Sequence, residues 1–264
     1  MNNHHITRNK EEAMTLQGSI ALITGVSHDA GIGAAVCHGL AEEGADIVFA
    51  HWKADEGWVE HFQKEITSRY RVKCIGIEAD LSQAESPQKL LDETADRLGS
   101  PDILINNAAY STRDGFMRLD AETLDAHYAV NIRGTCLLSV AFARRFIKEG
   151  KETGRIINLT SGQDLGPMTG ELAYGATKGA VSAFTLSLSA ELASAGVTVN
   201  AVNPGPTDTG WMTDEIKKHL EPKVLSGRMG MPEDAARLIT FLATEEAGWI
   251  TGQVINSEGG FLRS

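Results

Sequence analysis

The chain has little cysteine: three residues in 264, Cys37, Cys74 and Cys136, an odd number with no close pair among them. That excludes a disulfide framework and a thiolate metal site, and points to buried free thiols in a reducing cytoplasm. No metal is expected; His4-His5 is too short a cluster to hold one. Proline is also scarce, seven in all, and no Pro/Gly/Ser-rich linker divides the sequence. Basic residues number 24 against 35 acidic, a net charge of -11, so the surface does not attract phosphate backbones and nucleic acid is not an expected partner. No apolar run approaches the ~18 residues that cross a bilayer, so no membrane association is expected. Met1 to Gln17 is polar and mixed in charge, without an apolar signal core. A flexible arm over 1–17, a single domain over 18–264 and a cytoplasmic location follow.

What is present is rhythm. Short apolar runs at Ser19–Thr24, Asp46–Ala50, Lys73–Glu78, Ile103–Asn106, Arg155–Thr160, Val197–Val202 and Gln253–Asn256 alternate with helical patterns near 32–43, 55–69, 84–98, 121–148, 173–195 and 232–243. The runs are continuously apolar, as in Ile20-Ala21-Leu22-Ile23, which marks strands buried on both faces. The alternation predicts right-handed βαβ units: an α/β, doubly wound, seven-stranded parallel sheet with helices on both faces. Ligands of such sheets bind beyond the carboxyl ends of the strands.

The segments at those ends are informative. The first strand leads into Thr24-Gly25-Val26-Ser27-His28-Asp29-Ala30-Gly31-Ile32-Gly33 and then an amphipathic helix. Glycines there permit a tight turn and close approach of backbone to a pyrophosphate, while the helix start offers free amides and partial positive charge. Gly25, Ser27, His28, Gly31, Ile32 and Gly33 are therefore candidate cofactor contacts. The second strand ends in Ala50-His51-Trp52-Lys53 with no acid to accept ribose hydroxyls. His28, His51 and Lys53 are candidate cations for a 2′-phosphate, which favours NADP(H) and leaves NAD(H) open; a surface turn of mixed residues is the plain alternative. In Ala79-Asp80-Leu81-Ser82, Asp80 either accepts from an adenine amino group or caps the next helix. Asn107, Ala108 and Ala109, after the fourth strand, combine bracing amides with side chains small enough for a ribose to approach.

Tyr174 and Lys178 lie one helical turn apart on one face. A phenol ionises near ~10, and lowering that to about 7 takes on the order of 4 kcal/mol, much of which one close cation supplies in a partly desolvated site. A solvated helix face is the bland alternative for such a pair.

Together these segments resemble the short-chain dehydrogenase/reductase family from about residue 17 to the end. The motifs are the glycine-rich turn, Asn106-Asn107-Ala108-Ala109, Asn131 in Val130-Asn131-Ile132, Ser161, Tyr174 with Lys178, Asn203-Pro204-Gly205 and Thr251-Gly252-Gln253. The resemblance implies a Rossmann-type catalytic domain. It makes Tyr174 the general acid for a carbonyl oxygen and Lys178 the group that depresses the phenol and holds the nicotinamide ribose. Ser161 hydrogen-bonds the same oxygen, and Asn131 anchors a water on the proton route to Lys178. Asn131 reads otherwise as a helix brace, and Ser161 as a loop cap. Pro204 and Gly205 shape the pocket over the nicotinamide, and Thr207 or Thr209 binds its carboxamide or the pyrophosphate.

There are departures. Five residues, Val26 through Ala30, separate Gly25 from Gly31 where three are usual. A longer loop of this kind resembles the enoyl reductase branch, but those enzymes space Tyr and Lys seven apart, and the spacing of four here favours carbonyl chemistry. Ala109 replaces a common glycine, and Thr207 stands where an aliphatic residue is usual.

The loop containing Gln163 and Leu165, together with Thr207–Leu220, is expected to cover substrate, and Tyr110 to Phe116 to form another wall. The nearest general resemblance is to 3-oxoacyl-acyl-carrier-protein reductases of fatty acid biosynthesis. A sugar or secondary-alcohol dehydrogenase of the glucose dehydrogenase kind is the alternative, and a nucleotide sensor without turnover a third reading. Arg144 stands where a carrier-docking arginine is expected, but Ala195 occupies the place of the second. On the helix around Tyr174, Val181, Phe184, Leu188 and Leu192 form a bulky row for the sheet, while Ala176, Gly179, Ala183, Ser187 and Ala190 form a smooth one. That second face, with the family's habit, implies a homotetramer.

Overall fold

The structure, a computed structural model, describes residues 15–263. Its sheet has seven strands in the order β3-β2-β1-β4-β5-β6-β7, every neighbouring pair parallel. They are β1 Ile20–Thr24, β2 Asp46–His51, β3 Cys74–Glu78, β4 Ile103–Asn106, β5 Gly154–Leu159, β6 Val197–Asn203 and β7 Val254–Asn256. Each expected strand is found, within one residue at each end. Their continuous apolarity divides by parity between two cores. Ala21, Ile23, Ile47, Phe49, Ile103 and Ile105 pack on α1 (Ile32–Glu42), α2 (Trp58–Tyr70) and α8 (Pro232–Ala243). Leu22, Val48, Leu104, Ile156 and Val199 pack on α3 (Ser86–Arg97), α5 (Thr135–Lys148) and α6 (Leu172–Leu192). Of the bulky row on α6, Val181, Leu188 and Leu192 are buried and Phe184 packs on the second core.

Three local features depart from the expected pattern. α2 starts at Trp58 rather than near 55, because Gly57 takes a left-handed conformation (φ 76°) that ends the preceding turn. The long helix expected over 121–148 is α4 (Ala121–His127) and α5 joined by a π-helical stretch, Tyr128–Gly134, which contains Asn131. The segment Thr207–Leu220, expected to cover substrate with no element assigned to it, holds a short helix, α7 (Asp214–Leu220), capped by the Thr213 hydroxyl on the Ile216 amide. Of the arm expected over 1–17, only 15–17 lie within the described residues. There Leu16 is buried in the first core, and its amide donates to the Glu43 carbonyl at 2.9 Å.

Strand order reverses between β1 and β4. The loops after these two strands diverge there and open a cleft at the carboxyl edge of the sheet.

Candidate active site

The cleft begins with a glycine that cannot be replaced. Gly25 has φ 73°, and a Cβ on it would lie 2.6 Å from the Ala108 Cα. The two loops are stitched by Asn107, whose Nδ2 donates to the carbonyls of Thr24 and Gly25 at 2.9 Å. The Thr24 hydroxyl in turn accepts the Asn107 and Ala108 amides at 3.1 Å. Gly33, expected to contact cofactor, instead permits packing: a Cβ there would come within 2.8 Å of the Asn107 side chain. At Gly31 a Cβ would meet only His28, at 3.4 Å or more. No side chain caps α1 and no acid stands in its first turn, so its free amides and positive end are available to an anion.

The cleft encloses ≈ 740 Å³, within the usual range of about 300–1,000 Å³ for small-molecule sites. Gly25, Ser27, His28, Gly31, Ile32, His51, Trp52, Lys53, Asp80, Leu81, Asn107, Ala108, Ala109 and Thr209 all line it. Thr207 does not. It is buried, and its hydroxyl is held by the carbonyls of Pro204 and Gly205 at 3.2 and 3.3 Å, which leaves Thr209 as the threonine of the cleft. Pro204 lines a separate cavity of ≈ 230 Å³, and Gly205 (φ 63°) packs against Glu258.

At the end of β2 the three expected cations separate. Burial pulls the His51 pKa down against the opposing pull of Glu78 and Glu60, so the ring is neutral at pH 7 and is not a cation for a phosphate. Its Nδ1 is buried with no hydrogen-bond partner among the described residues. Lys53 holds its ammonium 5.4 Å from the centroid of the half-exposed Trp52 ring. Asp80 makes the turn before α3, accepting from the Ser82 amide at 3.0 Å and the Gln83 side chain at 3.2 Å. Burial pushes its carboxyl up, but those bonds and the Lys53 charge outweigh it and hold the pKa below its usual value. An open glycine corner, an uncapped helix start and an unpartnered ring nitrogen fit an anionic dinucleotide.

Ser161, Tyr174 and Lys178 are not among the residues that line this cleft; Ser161 follows β5, and the first turns of α6 carry Tyr174 and Lys178. The Ser161 side chain lies close enough to the Tyr174 phenol to draw its pKa down. Lys178 is 3% exposed, donates to the Leu159 carbonyl at 2.7 Å and lies 5.5 Å from the centroid of the Tyr174 ring. The electrostatics run opposite to expectation. Burial pushes the phenol up to about 12, Glu171 adds to the rise, and only Ser161 opposes it. Burial pulls Lys178 itself down to about 8.

Asn131 acts as a brace. Its Oδ1 accepts the Tyr110 amide at 2.7 Å, and its Nδ2 donates to the Tyr110 carbonyl and the Thr177 hydroxyl, both at 2.9 Å. The π-helical stretch displaces this amide from the α-helical register toward α6. Gln163, expected at the substrate, is likewise engaged. It accepts the Ser161 amide at 3.1 Å and donates to Asp164 at 2.8 Å and Ser182 at 3.1 Å, which fixes the loop bearing Ser161. Leu165 is exposed beside it.

Sequence reasoning missed three contributors. Asp114 caps α6 from the loop after β4; the Asp114-Gly115 turn dipeptide was its only signal. Thr24 and Thr177 are read as ordinary buried threonines until their hydroxyls are placed. Near the carboxyl end, Glu258 accepts from Asn203 at 2.8 Å and pairs with Arg263, whose guanidinium fills the space a Gly162 side chain would take.

The enoyl-(acyl carrier protein) reductase family model matches residues 25–262. The uncharacterized oxidoreductase YjdA of Bacillus subtilis is 59% identical over 247 residues, 94% of this chain and 98% of its own length. The 3-oxoacyl-[acyl-carrier-protein] reductase FabG of Aquifex aeolicus is 35% identical over 250 residues, 94% and 98% of the two chains. A solved short-chain dehydrogenase/reductase of Serratia marcescens superposes with a TM-score of 0.85 at 32% identity, covering 94% of this chain and 99% of that one. Fold and site thus define an oxidoreductase built on a dinucleotide-binding sheet. The chain belongs to the short-chain dehydrogenase/reductase family, which implies an NAD(P) cofactor.

Proposed function

We propose that this oxidoreductase reduces a ketone to a secondary alcohol with NADPH, and that 3-oxoacyl thioesters are its substrate class. The observation that carries the reading is the buried Lys178 ammonium held 5.5 Å from the centroid of the Tyr174 ring, with Ser161 acting on the same phenol. A nicotinamide cofactor supplies hydride when bound. The cleft residues Gly31, Ile32, Lys53, Asp80, Asn107 and Thr209 hold it, with Lys53 the cation and His28 a further ring at hand for a 2′-phosphate. Ser161 donates to the carbonyl oxygen as negative charge grows there. Tyr174, neutral at pH 7 because burial holds its proton, passes that proton to the same oxygen. Lys178 keeps a positive charge against the phenol ring and offsets the negative charge left on Tyr174 until solvent returns its proton.

The protonated phenol, which burial favours, is the form that reduction uses. The name of the 35%-identical Aquifex relative supports the oxoacyl class. Double-bond reduction, which the family model's description suggests, is disfavoured by the four-residue Tyr174–Lys178 spacing. An acyl carrier protein has one exposed arginine to meet, Arg144, and none at Ala195. The smooth row of α6 is exposed at Ala176, Ala183, Ser187 and Ala190, which supports pairing with another copy and a homotetramer. The deciding test assays acetoacetyl and crotonyl thioesters, glucose and small diols, each with NADPH or NADP and with NADH or NAD. Acetoacetyl reduction with NADPH ahead of every other pair is the expected result. Turnover confined to glucose or diols would make it a sugar or alcohol dehydrogenase.

A further inference from the structure

α6 carries Tyr174 at its third residue, yet nothing of its own caps its first turn: Glu171, at the cap position, makes no side-chain bond to the helix. The free amides are met from across the site. Asp114, on the loop after β4, accepts the Leu172 amide on Oδ1 and the Ala173 amide on Oδ2, each at 2.8 Å. It also accepts the neighbouring Gly115 amide, and its own amide donates to the Gly170 carbonyl at 2.9 Å. The residue is 6% exposed. A carboxylate is retained in such a place only when several donors and a favourable field meet it, and the positive end of a 21-residue helix supplies the field.

The same loop grips α6 a second time. Three residues beyond Tyr174, the Thr177 hydroxyl donates to the Tyr174 carbonyl at 2.8 Å and accepts from Asn131, which also holds both polar groups of the Tyr110 backbone. An ion pair between Arg113 and Glu171 at 3.5 Å adds a third, exposed tie. Tyr174 therefore sits between two clamps that both originate in residues 110–114. A helix start left uncapped frays within its first turn, and that turn contains the phenol.

We propose that Asp114 is a positioning residue for the reaction: by holding the Leu172 and Ala173 amides it fixes the first turn of α6, so that the Tyr174 hydroxyl meets Ser161. This rests on the proposed carbonyl reduction for its kinetic readout.

The test compares Asp114→Asn and Asp114→Ala with Asp120→Ala, which removes a cap of similar type, the 2.8 Å bond to the Thr123 amide at the start of α4. Asn keeps an acceptor for Leu172 but turns an amide donor toward Ala173; Ala keeps neither. With a ketone substrate and NADPH, kcat is expected to fall roughly 10-fold in Asp114→Asn and about 100-fold in Asp114→Ala, with the Kd for NADPH within about twofold of wild type. Asp120→Ala should lower Tm and leave kcat unchanged. Amide hydrogen exchange, which needs no turnover, is followed over residues 172–175 in the same variants, and faster exchange confined to that turn is expected in Asp114→Asn. The proposal is overturned by wild-type exchange there in Asp114→Asn, or by wild-type kcat in either folded Asp114 variant. A wild-type enzyme that reduces no ketone refutes the reaction assignment instead, and the exchange result then decides the helix-positioning claim alone.

Discussion

Burial disfavours the charged form of both the phenol and the ammonium at the centre of the site, and this sets the pH behaviour. Tyr174 stays protonated until about pH 12 and Lys178 loses its proton near pH 8. Ketone reduction should therefore hold steady through neutrality and decline as pH rises through about 8, measured as kcat against pH. Tyr174→Phe should cut turnover by about 10²–10⁴ while NADPH binding, read by fluorescence titration, persists; undiminished turnover would exclude the phenol as the acid. Lys178 also carries a stability consequence. Its folded pKa lies below its unfolded value, so keeping it charged at pH 7 opposes folding by about 3 kcal/mol, and that penalty is relieved as pH rises from about 8 toward the unfolded value. Lys178→Met should then fold at least as stably as wild type at pH 7 while losing turnover, seen as an equal or higher Tm. The spacing of these residues singled them out only beside the glycine turn, Asn131 and Ser161. The sign of the phenol's shift was not legible, because burial is a tertiary fact.

Strands were the most legible elements, since a run buried on both faces admits few other readings. The π-helical stretch was not, because a single turn of i→i+5 backbone bonding inside an α-helical pattern leaves no residue-type signal. α7 carried a readable signature, Thr213 before Asp214-Glu215 and then Lys217-Lys218-His219, but its seven residues are too few for an apolar period to mark it. Beyond α7, α8 is anchored by Asp234. That carboxylate accepts the Met231 amide at 2.9 Å and a forked Arg228 guanidinium at 2.6 and 2.7 Å, tying the segment after α7 to the helix. The Arg228 bonds hold its pKa down to about 2 against burial, with help from the Met231 amide and Arg237. A depressed carboxyl stabilises the fold above its unfolded pKa and stops doing so as pH falls through its folded value. Acid should thus weaken this anchor between about pH 4 and 2. Asp234→Asn should lower Tm at pH 7 and show a smaller further loss over that acid window than wild type, by calorimetry.

At the scale of the whole molecule, both sheet faces are closed by helices, yet one helical side remains unfinished. Leu186 is 63% exposed on α6 and Ile147 53% exposed on α5, beside the uncovered Ala176, Ala183, Ser187 and Ala190. Large apolar groups among small ones along two long helices let backbones approach closely, which suits a partner with the same face better than water does. A net charge of -11 opposes such association at long range. Contact must therefore be apolar and close, and salt should strengthen rather than dissolve it. The expected outcome is a species of four 28.4 kDa chains in analytical ultracentrifugation at micromolar concentration, and a lighter one for Ala183→Arg, whose long charged side chain cannot enter a smooth helix–helix seam. A wild-type chain that sediments as a single subunit, at low and high salt alike, would leave the face with no copy of itself to cover it.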